Sequence, residues 1–262
     1  MIRAERQAKI LKILREKGFV ENKDLQELFN VTPITIRRDL KDLSEQNLIR
    51  LDHGGAADIN VVGSSIEPLY RTKMYLNVEK KIAIGMAASD LICDGETIFL
   101  DSGTTTLQIA QSLRNKRVIN LTVVTYDIKI ADELGALENI NVLVLGGILR
   151  KHLYSLYGPY AEYVLKNLKA KKAFLAVDGA SKENGISNAN LEEVPIKQLI
   201  IQNSEEVILV ADSTKFGKDT FCRVCSWDSI DHIITDDGIP KDYLEFFETN
   251  NIKTKIVTPT AT

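Results

Sequence analysis

Asp101-Ser102-Gly103-Thr104-Thr105-Thr106 is the segment of this chain best suited to chemistry. It follows an apolar run and leads into Leu107, Ile109, Ala110 and Leu113 at helical spacing. That order sets backbone N–H groups and hydroxyls at a helix N-terminus beyond the carboxyl end of a strand. Unsatisfied donors and the helix dipole favour phosphate there; an ordinary capped strand-to-helix turn is the plainer alternative. Other predicted strand ends carry Thr125, Gly146-Gly147 with Arg150, Asp178-Gly179 and Asp212-Ser213-Thr214-Lys215-Phe216-Gly217. In a parallel sheet these ends converge on one crevice, so a phosphate loop, two cationic side chains and two carboxylates would share it.

A second group lies near the N-terminus. Thr35, Arg37, Arg38 and Lys41 fall away from the stripe of Ile36, Leu40 and Leu43. A helix of this kind can enter the major groove, where arginine makes bidentate contacts to guanine. Alone, it reads equally as a solvated charged face. Its surroundings favour DNA: a preceding helix, a short turn at Asn30-Val31 and the glycine turn Asp52-His53-Gly54-Gly55, whose backbone can approach phosphate closely.

The elements that must position these residues form two sets. A helix is predicted from about Ala4 to Glu16, and a second is capped by Asn22 and carries Leu25, Leu28 and Phe29. A third opens at Thr32-Pro33, with threonine at the cap and proline in the first turn. A strand at Leu48–Leu51 and the glycine turn complete a winged helix-turn-helix over residues 1–57. Residues 58–76, with Gly63-Ser64-Ser65 and Pro68, read as a linker. Over 77–262 short apolar runs alternate with helical stretches. Strands are predicted at Thr97–Asp101, Leu121–Thr125, Asn141–Leu145, Ala173–Val177, Val207–Ala211, His232–Thr235 and Lys255–Val257. Helices are predicted at Glu79–Leu91, Thr105–Leu113, Ile128–Leu134, Tyr160–Leu168, Glu192–Gln202 and Lys241–Thr249. The fold class is therefore α/β, a winged head followed by a mostly parallel sheet.

Composition excludes several classes. With 262 residues, 44% apolar and 26% charged, the chain reads as two ordinary globular domains. The charged start Met1–Arg6 is not a secretory signal, no apolar run is long enough to span a membrane, and three cysteines fit a reducing cytoplasm. The net charge of −3 divides into a slightly basic head and an acidic body. Neither Gly-x-x-x-x-Gly-Lys-Ser/Thr nor Gly-x-Gly-x-x-Gly occurs, which leaves nucleoside triphosphatases and dinucleotide enzymes without their usual cradle. Cys222-x-x-Cys225 is at most half a zinc site and reads as two reduced thiols. Glu193 and Lys197 have the i,i+4 spacing of a surface pair, and Glu192-Glu193 reads as solvated unless the fold carries it to the crevice. No metal, cofactor or catalytic residue is expected.

Six motifs in order resemble the DeoR-type bacterial transcriptional regulators over nearly the whole length. They are Thr35-Ile36-Arg37-Arg38-Asp39-Leu40, His53-Gly54-Gly55-Ala56, Asp101-x-Gly103-Thr104-Thr105, Gly146-Gly147-x-x-Arg150, Glu193-Val194-x-x-Lys197 and Asp212-x-x-Lys215-Phe216-Gly217. The resemblance implies a sensor domain of the fold shared with ribose-5-phosphate isomerase and coenzyme A transferases, a phosphorylated sugar or related metabolite as effector, and a homo-oligomer. By position it implies an effector site of Asp101, Ser102, Gly103, Thr104, Thr105, Thr125, Gly146, Gly147, Arg150, Asp178, Lys197 and Lys215. DNA contacts would come from Thr32, Thr35, Arg37, Arg38, His53 and Gly54. The chain departs from the family at Tyr126-Asp127, where asparagine is common after the threonine, and at Leu51, where arginine is common. Either a contact to a sugar hydroxyl would then be changed or Asp127 would repel a second phosphate, and Arg50 would point to the opposite face from a residue at 51. The expectation is a cytoplasmic DNA-binding repressor of a sugar-metabolism operon. The alternative is a sugar-phosphate isomerase using the same crevice.

Overall fold

The computed structural model describes residues 1–52, 54–59 and 67–260, in two units, Met1–Val78 and Glu79–Thr262. In the first, helix α1 (Arg3–Lys17) turns Ala8, Ile10, Leu11 and Leu14 inward and stops at Gly18, whose φ of 75° suits glycine. Strand β1 (Phe19–Glu21) leads into α2 (Asn22–Phe29), which ends at Asn30 in the left-handed region, φ 49°. Helix α3 (Pro33–Glu45) follows, then β2 (Ile49–Asp52) and β3 (Gly55–Asp58), paired antiparallel in the order β1-β3-β2. A Cβ at Gly55 would lie 2.3 Å from the Val20 carbonyl oxygen, so glycine is what lets β3 lie against β1.

Ile36, Leu40 and Leu43 are buried as the pattern requires. A buried pair, Arg6 Nε to Asp39 Oδ2 at 2.5 Å, ties α1 to α3. Some local expectations need correcting. Asn22 is the first helical residue and not the cap, and its amide N–H donates to the Gly54 carbonyl at 2.7 Å. Thr32 occupies the cap position of α3, but its hydroxyl pairs with that of Thr35 at 2.9 Å and caps no backbone N–H. In the segment read as linker, α4 (Tyr70–Lys73) packs on α1, and Leu76 enters the same core. A single amphipathic turn of four residues has no periodicity to detect.

The second unit contains α5 (Val78–Ser89), β4 (Thr97–Leu100), α6 (Thr104–Leu113), β5 (Leu121–Thr125), α7 (Ile128–Leu134) and β6 (Ile140–Val144). A hairpin, β7 (Ile148–Leu149) with β8 (Leu156–Tyr157), leads to α8 (Pro159–Leu165) and β9 (Ala170–Leu175). Then come β10 (Gly179–Ser181), β11 (Gly185–Asn188), α9 (Val194–Gln202), β12 (Ser204–Val210), β13 (Cys222–Cys225), β14 (His232–Asp236), α10 (Lys241–Thr249) and β15 (Lys253–Val257).

Seven strands form a sheet in the order β15-β14-β12-β9-β4-β5-β6, every pair parallel. The chain builds outward from β4 through β5 to β6, then returns to the other side of β4 for β9. The strand order therefore reverses between β4 and β9. Phe99, Val124 and Leu145 pack against Ala161, Leu165, Ile196 and Ile200 of α8 and α9. A second core gathers Leu209, Ile233, Trp227, Tyr243 and Phe247.

All seven predicted strands and six predicted helices of this unit occur, with ends shifted by a few residues. The small antiparallel sheet β10-β11-β13 and the hairpin β7-β8 were not anticipated, because strands of two to four residues carry too little alternation to read.

Candidate functional site

In a parallel sheet a ligand crevice opens at the carboxyl ends of the strands where their order reverses. Here that place lies between β4 and β9, and the residue following β4 is Asp101. Its carboxylate is wholly buried. Oδ2 accepts from Lys197 Nζ at 2.5 Å and from the Ala176 amide beyond β9 at 2.8 Å, while the Tyr126 hydroxyl donates to Oδ1. Burial pushes the Asp101 pKa up even against these donors. Burial also works against the charge on Lys197, but Asp101 and Glu193 outweigh it and keep the ammonium protonated. Lys197 donates in addition to the Ala176 carbonyl at 2.9 Å. Asp101 and Lys197 thus brace β4, β9 and α9 together.

The loop after Asp101 opens α6 as expected, with Ser102 and Gly103 half-buried and Thr104 and Thr105 buried in the first turn. Two of its donors are taken from within. Asp127 Oδ2 accepts from Ser102 Oγ at 2.8 Å and from the Gly103 amide at 3.2 Å. Its Oδ1 caps α7 through the Lys129 and Ile130 amides, at 2.7 and 3.2 Å. Thr125 Oγ1 accepts the Asp127 amide at 3.1 Å, so Thr125 shapes this corner from below. Burial pushes the Asp127 carboxyl up to about 6 despite these four donors. An N-cap aspartate ahead of Ile128 is a legible sequence signal; its reach across to the Ser102 loop is not.

Arg150 donates to Glu193 Oε1 at 2.7 Å, and Ser155 Oγ donates to the same oxygen at 2.5 Å. Asn188 Nδ2 reaches Glu193 Oε2 at 3.1 Å. Burial opposes ionisation of Glu193, but Lys197 and Arg150 prevail and hold its pKa below the ordinary value. The expected solvated position of Glu193, and a surface pair with Lys197, are therefore corrected. A short 3-10 turn at Leu191–Glu193 precedes α9, and Glu193 at its end and Lys197 within the helix are both buried. Asp178 accepts the Ala189 amide at 3.1 Å and adds its field to Lys197.

Gly146 and Gly147 are exposed between β6 and the hairpin. A Cβ at Gly147 would lie 2.4 Å from the Tyr157 carbonyl oxygen. Lys215 stands one strand further along. With Lys81, it overcomes the burial of Asp212 and keeps that carboxylate ionised. Beside it Lys80 Nζ bridges Ser213 Oγ and Asp236 Oδ2, each at 2.7 Å, an anchor that neither motif nor spacing indicated. The fold thus gathers Asp101, Asp178, Lys197 and Arg150 around Glu193, with the Ser102–Thr105 loop alongside, and sets Lys215 at a separate strand end.

In the head, Arg37 and Arg38 are exposed on α3, and Thr35 is half-buried beside them. Gly54 is exposed with φ 82°, while His53 lies outside the described residues. On β2 both Arg50 and Leu51 are exposed. Cys222 and Cys225 lie on β13 as free thiols, and among the described residues no group of three or more His, Cys, Asp or Glu side chains is arranged to hold a metal.

Family models match both units: residues 6–61 fit the DeoR-like helix-turn-helix domain, and residues 76–237 fit the DeoR C terminal sensor domain. The chain belongs to the DeoR family. Relatives in this family include the glycerol-3-phosphate regulon repressor of Escherichia coli strain K12, 30% identical over 98% of this chain and 100% of that protein. The transcriptional regulator GlpR of Haloferax volcanii is 32% identical over 96% of this chain and 97% of its own length. Among solved structures, ribose 5-phosphate isomerase A of Methanocaldococcus jannaschii has a TM-score of 0.39 at 15% identity, covering 53% of this chain and 55% of that one. That likeness is too slight to argue from. The residues of the DeoR-family motifs are all among the described residues except the wing histidine, His53. No helix among the described residues is long and apolar enough to cross a membrane.

Proposed function

We propose that this DeoR-family protein is a sequence-specific DNA-binding repressor of a sugar-metabolism operon, working in the cytoplasm as a homo-oligomer and controlled by a phosphorylated sugar or related metabolite. The observation that carries the effector half is the reversal of strand order between β4 and β9, where α6 opens three residues after Asp101, the partner of Lys197, and where Lys197 and Arg150 both act on Glu193. The phosphate would lie against the first turn of α6, at Thr104 and Thr105, with Ser102 and Gly103 released by Asp127 as it enters. Arg150, Lys197, Asp178 and the Gly146-Gly147 turn would frame the sugar, and Lys215 would add charge from its neighbouring strand end. On the DNA side, exposed Arg37 and Arg38 would reach base edges and phosphates. Thr32, Thr35, Gly54 and His53 would set the register. The relative named for the glycerol-3-phosphate regulon supports a phosphorylated metabolite.

An isomerase would need a carboxylate open to substrate as its base. Asp101 is 0% exposed and Glu193 6%, each held by several donors, which favours a sensor over an enzyme. The test is fluorescence anisotropy with DNA from upstream of the coding region, at several salt concentrations and with a panel of sugar phosphates. Salt-steep binding that one phosphate shifts and random DNA does not match is expected. Binding equal to random DNA, unmoved by every phosphate, would refute the reading.

A further inference from the structure

The two edges of the seven-stranded sheet are finished differently. At one edge β15 presents exposed Lys253, Thr254 and Lys255, the lysine guard that keeps an open strand from pairing with another chain. At the other edge β6 has β5 on one side and, among the described residues, no strand on the other. It carries no such guard: residues 139–149 contain no charged side chain at all. Leu143 and Val144, which point to opposite faces of the sheet, are 40% and 42% exposed, so neither face covers this end of the strand.

The apolar surface continues beyond the strand. Ile148 and Leu149 on the hairpin are exposed. Ile148 Cδ1 would stand 3.9 Å from a Cβ at Gly158, the residue that leads into α8. Helix α8 packs its inner side, Ala161 and Leu165, on the core that contains Leu145. Its outer side presents Tyr160 and Tyr163, three residues apart and 77% and 74% exposed. Glu162 is the one charged residue of the helix. The two tyrosines alone offer roughly 300 Å². With the aliphatic side chains the face approaches the roughly 800 Å² per partner that a specific interface buries.

We infer that this face, formed by β6, the hairpin and the outer side of α8, is where a second copy of the chain docks by twofold symmetry. A twofold contact sets a patch against itself, so a patch of one charge sign repels its copy whereas an uncharged apolar one matches it. The unguarded edge is tolerable because it is covered in the assembly, and the guarded edge is the one left to solvent. This rests on the homo-oligomer reading above and assigns it a surface.

The test is sedimentation of the full-length chain. Tyr160→Glu/Tyr163→Glu changes only exposed side chains, and Ile148→Lys makes an independent break on the hairpin. Ile256→Glu on the opposite edge serves as control. Each variant is checked for native Trp227 fluorescence. The expected result is a sedimenting mass that falls twofold in both face variants and is unchanged in the control. A monomeric wild type overturns the homo-oligomer reading itself. A wild-type oligomer whose mass survives both face variants overturns only the surface assigned here.

Discussion

Replacing Asp127 by asparagine isolates the cost of keeping an anion in the loop's own donor set. The carboxyl is raised from 3.8 to about 6 because it is buried, and four hydrogen-bond donors do not fully compensate. A folded-state pKa above the unfolded value means that the folded chain binds the proton more tightly. This group therefore costs stability above pH 6, and the cost fades as the pH falls toward 3.8. A shift of that size corresponds to about 3 kcal/mol in full, of which about 1.4 kcal/mol develops between pH 5 and pH 8. The substituted amide cannot titrate, so the stability of wild type minus that of Asp127→Asn should fall by about that amount across the interval. The fixed penalty of the substitution, from an amide facing donors that once met a carboxylate, is constant with pH and drops out. Urea unfolding followed at Trp227, the chain's one tryptophan and a buried one, reads this difference directly. A difference flat from pH 5 to pH 8, or one rising with pH, would refute the placement of Asp127 as a buried anion held at a cost.

Three further outcomes are expected. Arg38→Ala should weaken binding to a cognate operator by about 1–3 kcal/mol and lower the salt slope by about one unit while leaving thermal unfolding unchanged, because the side chain is exposed; unchanged affinity in the anisotropy titration would remove it from the interface. Lys197→Met leaves Asp101 and Glu193 buried without their ammonium and should cost about 3–5 kcal/mol in urea unfolding. Adding Asp101→Asn should recover part of that loss, and a double variant less stable than the single one would contradict the brace. Cys93 is exposed, whereas Cys222 is buried and burial pushes the Cys225 thiol up to about 12; a thiol reagent at pH 8 should therefore titrate one cysteine in the native chain and three in denaturant.

Much of the fold was legible because its long elements repeat a simple physical rule. The stripe Ile36, Leu40 and Leu43 needs only helical spacing and a core to bury it, and strands such as Leu121–Thr125 are continuous apolar runs because a parallel sheet is covered on both faces. The loop at Ser102–Thr106 was legible for the same reason, as a strand end meeting a helix start. Short elements were not: α4, the hairpin and β13 hold too few residues for any period to emerge.

What the sequence determined by itself was the set of elements, the ends at which polar residues gather, and the head that can read DNA, since each depends on neighbours a few residues apart. It could not determine which of those polar groups face one another. Glu193 and Lys197 read as a surface pair because i,i+4 spacing is local, yet Lys197 meets Asp101, 96 residues away, and Glu193 meets Arg150, 43 residues away. Asp127 likewise reads only as a departure from the family pattern, and the pairing of β4 with β5 is what brings it against the Ser102 loop. Strand order is settled by packing across the whole sheet, and the crevice is a consequence of strand order. The residues were visible in one dimension, and their partnerships exist only in three.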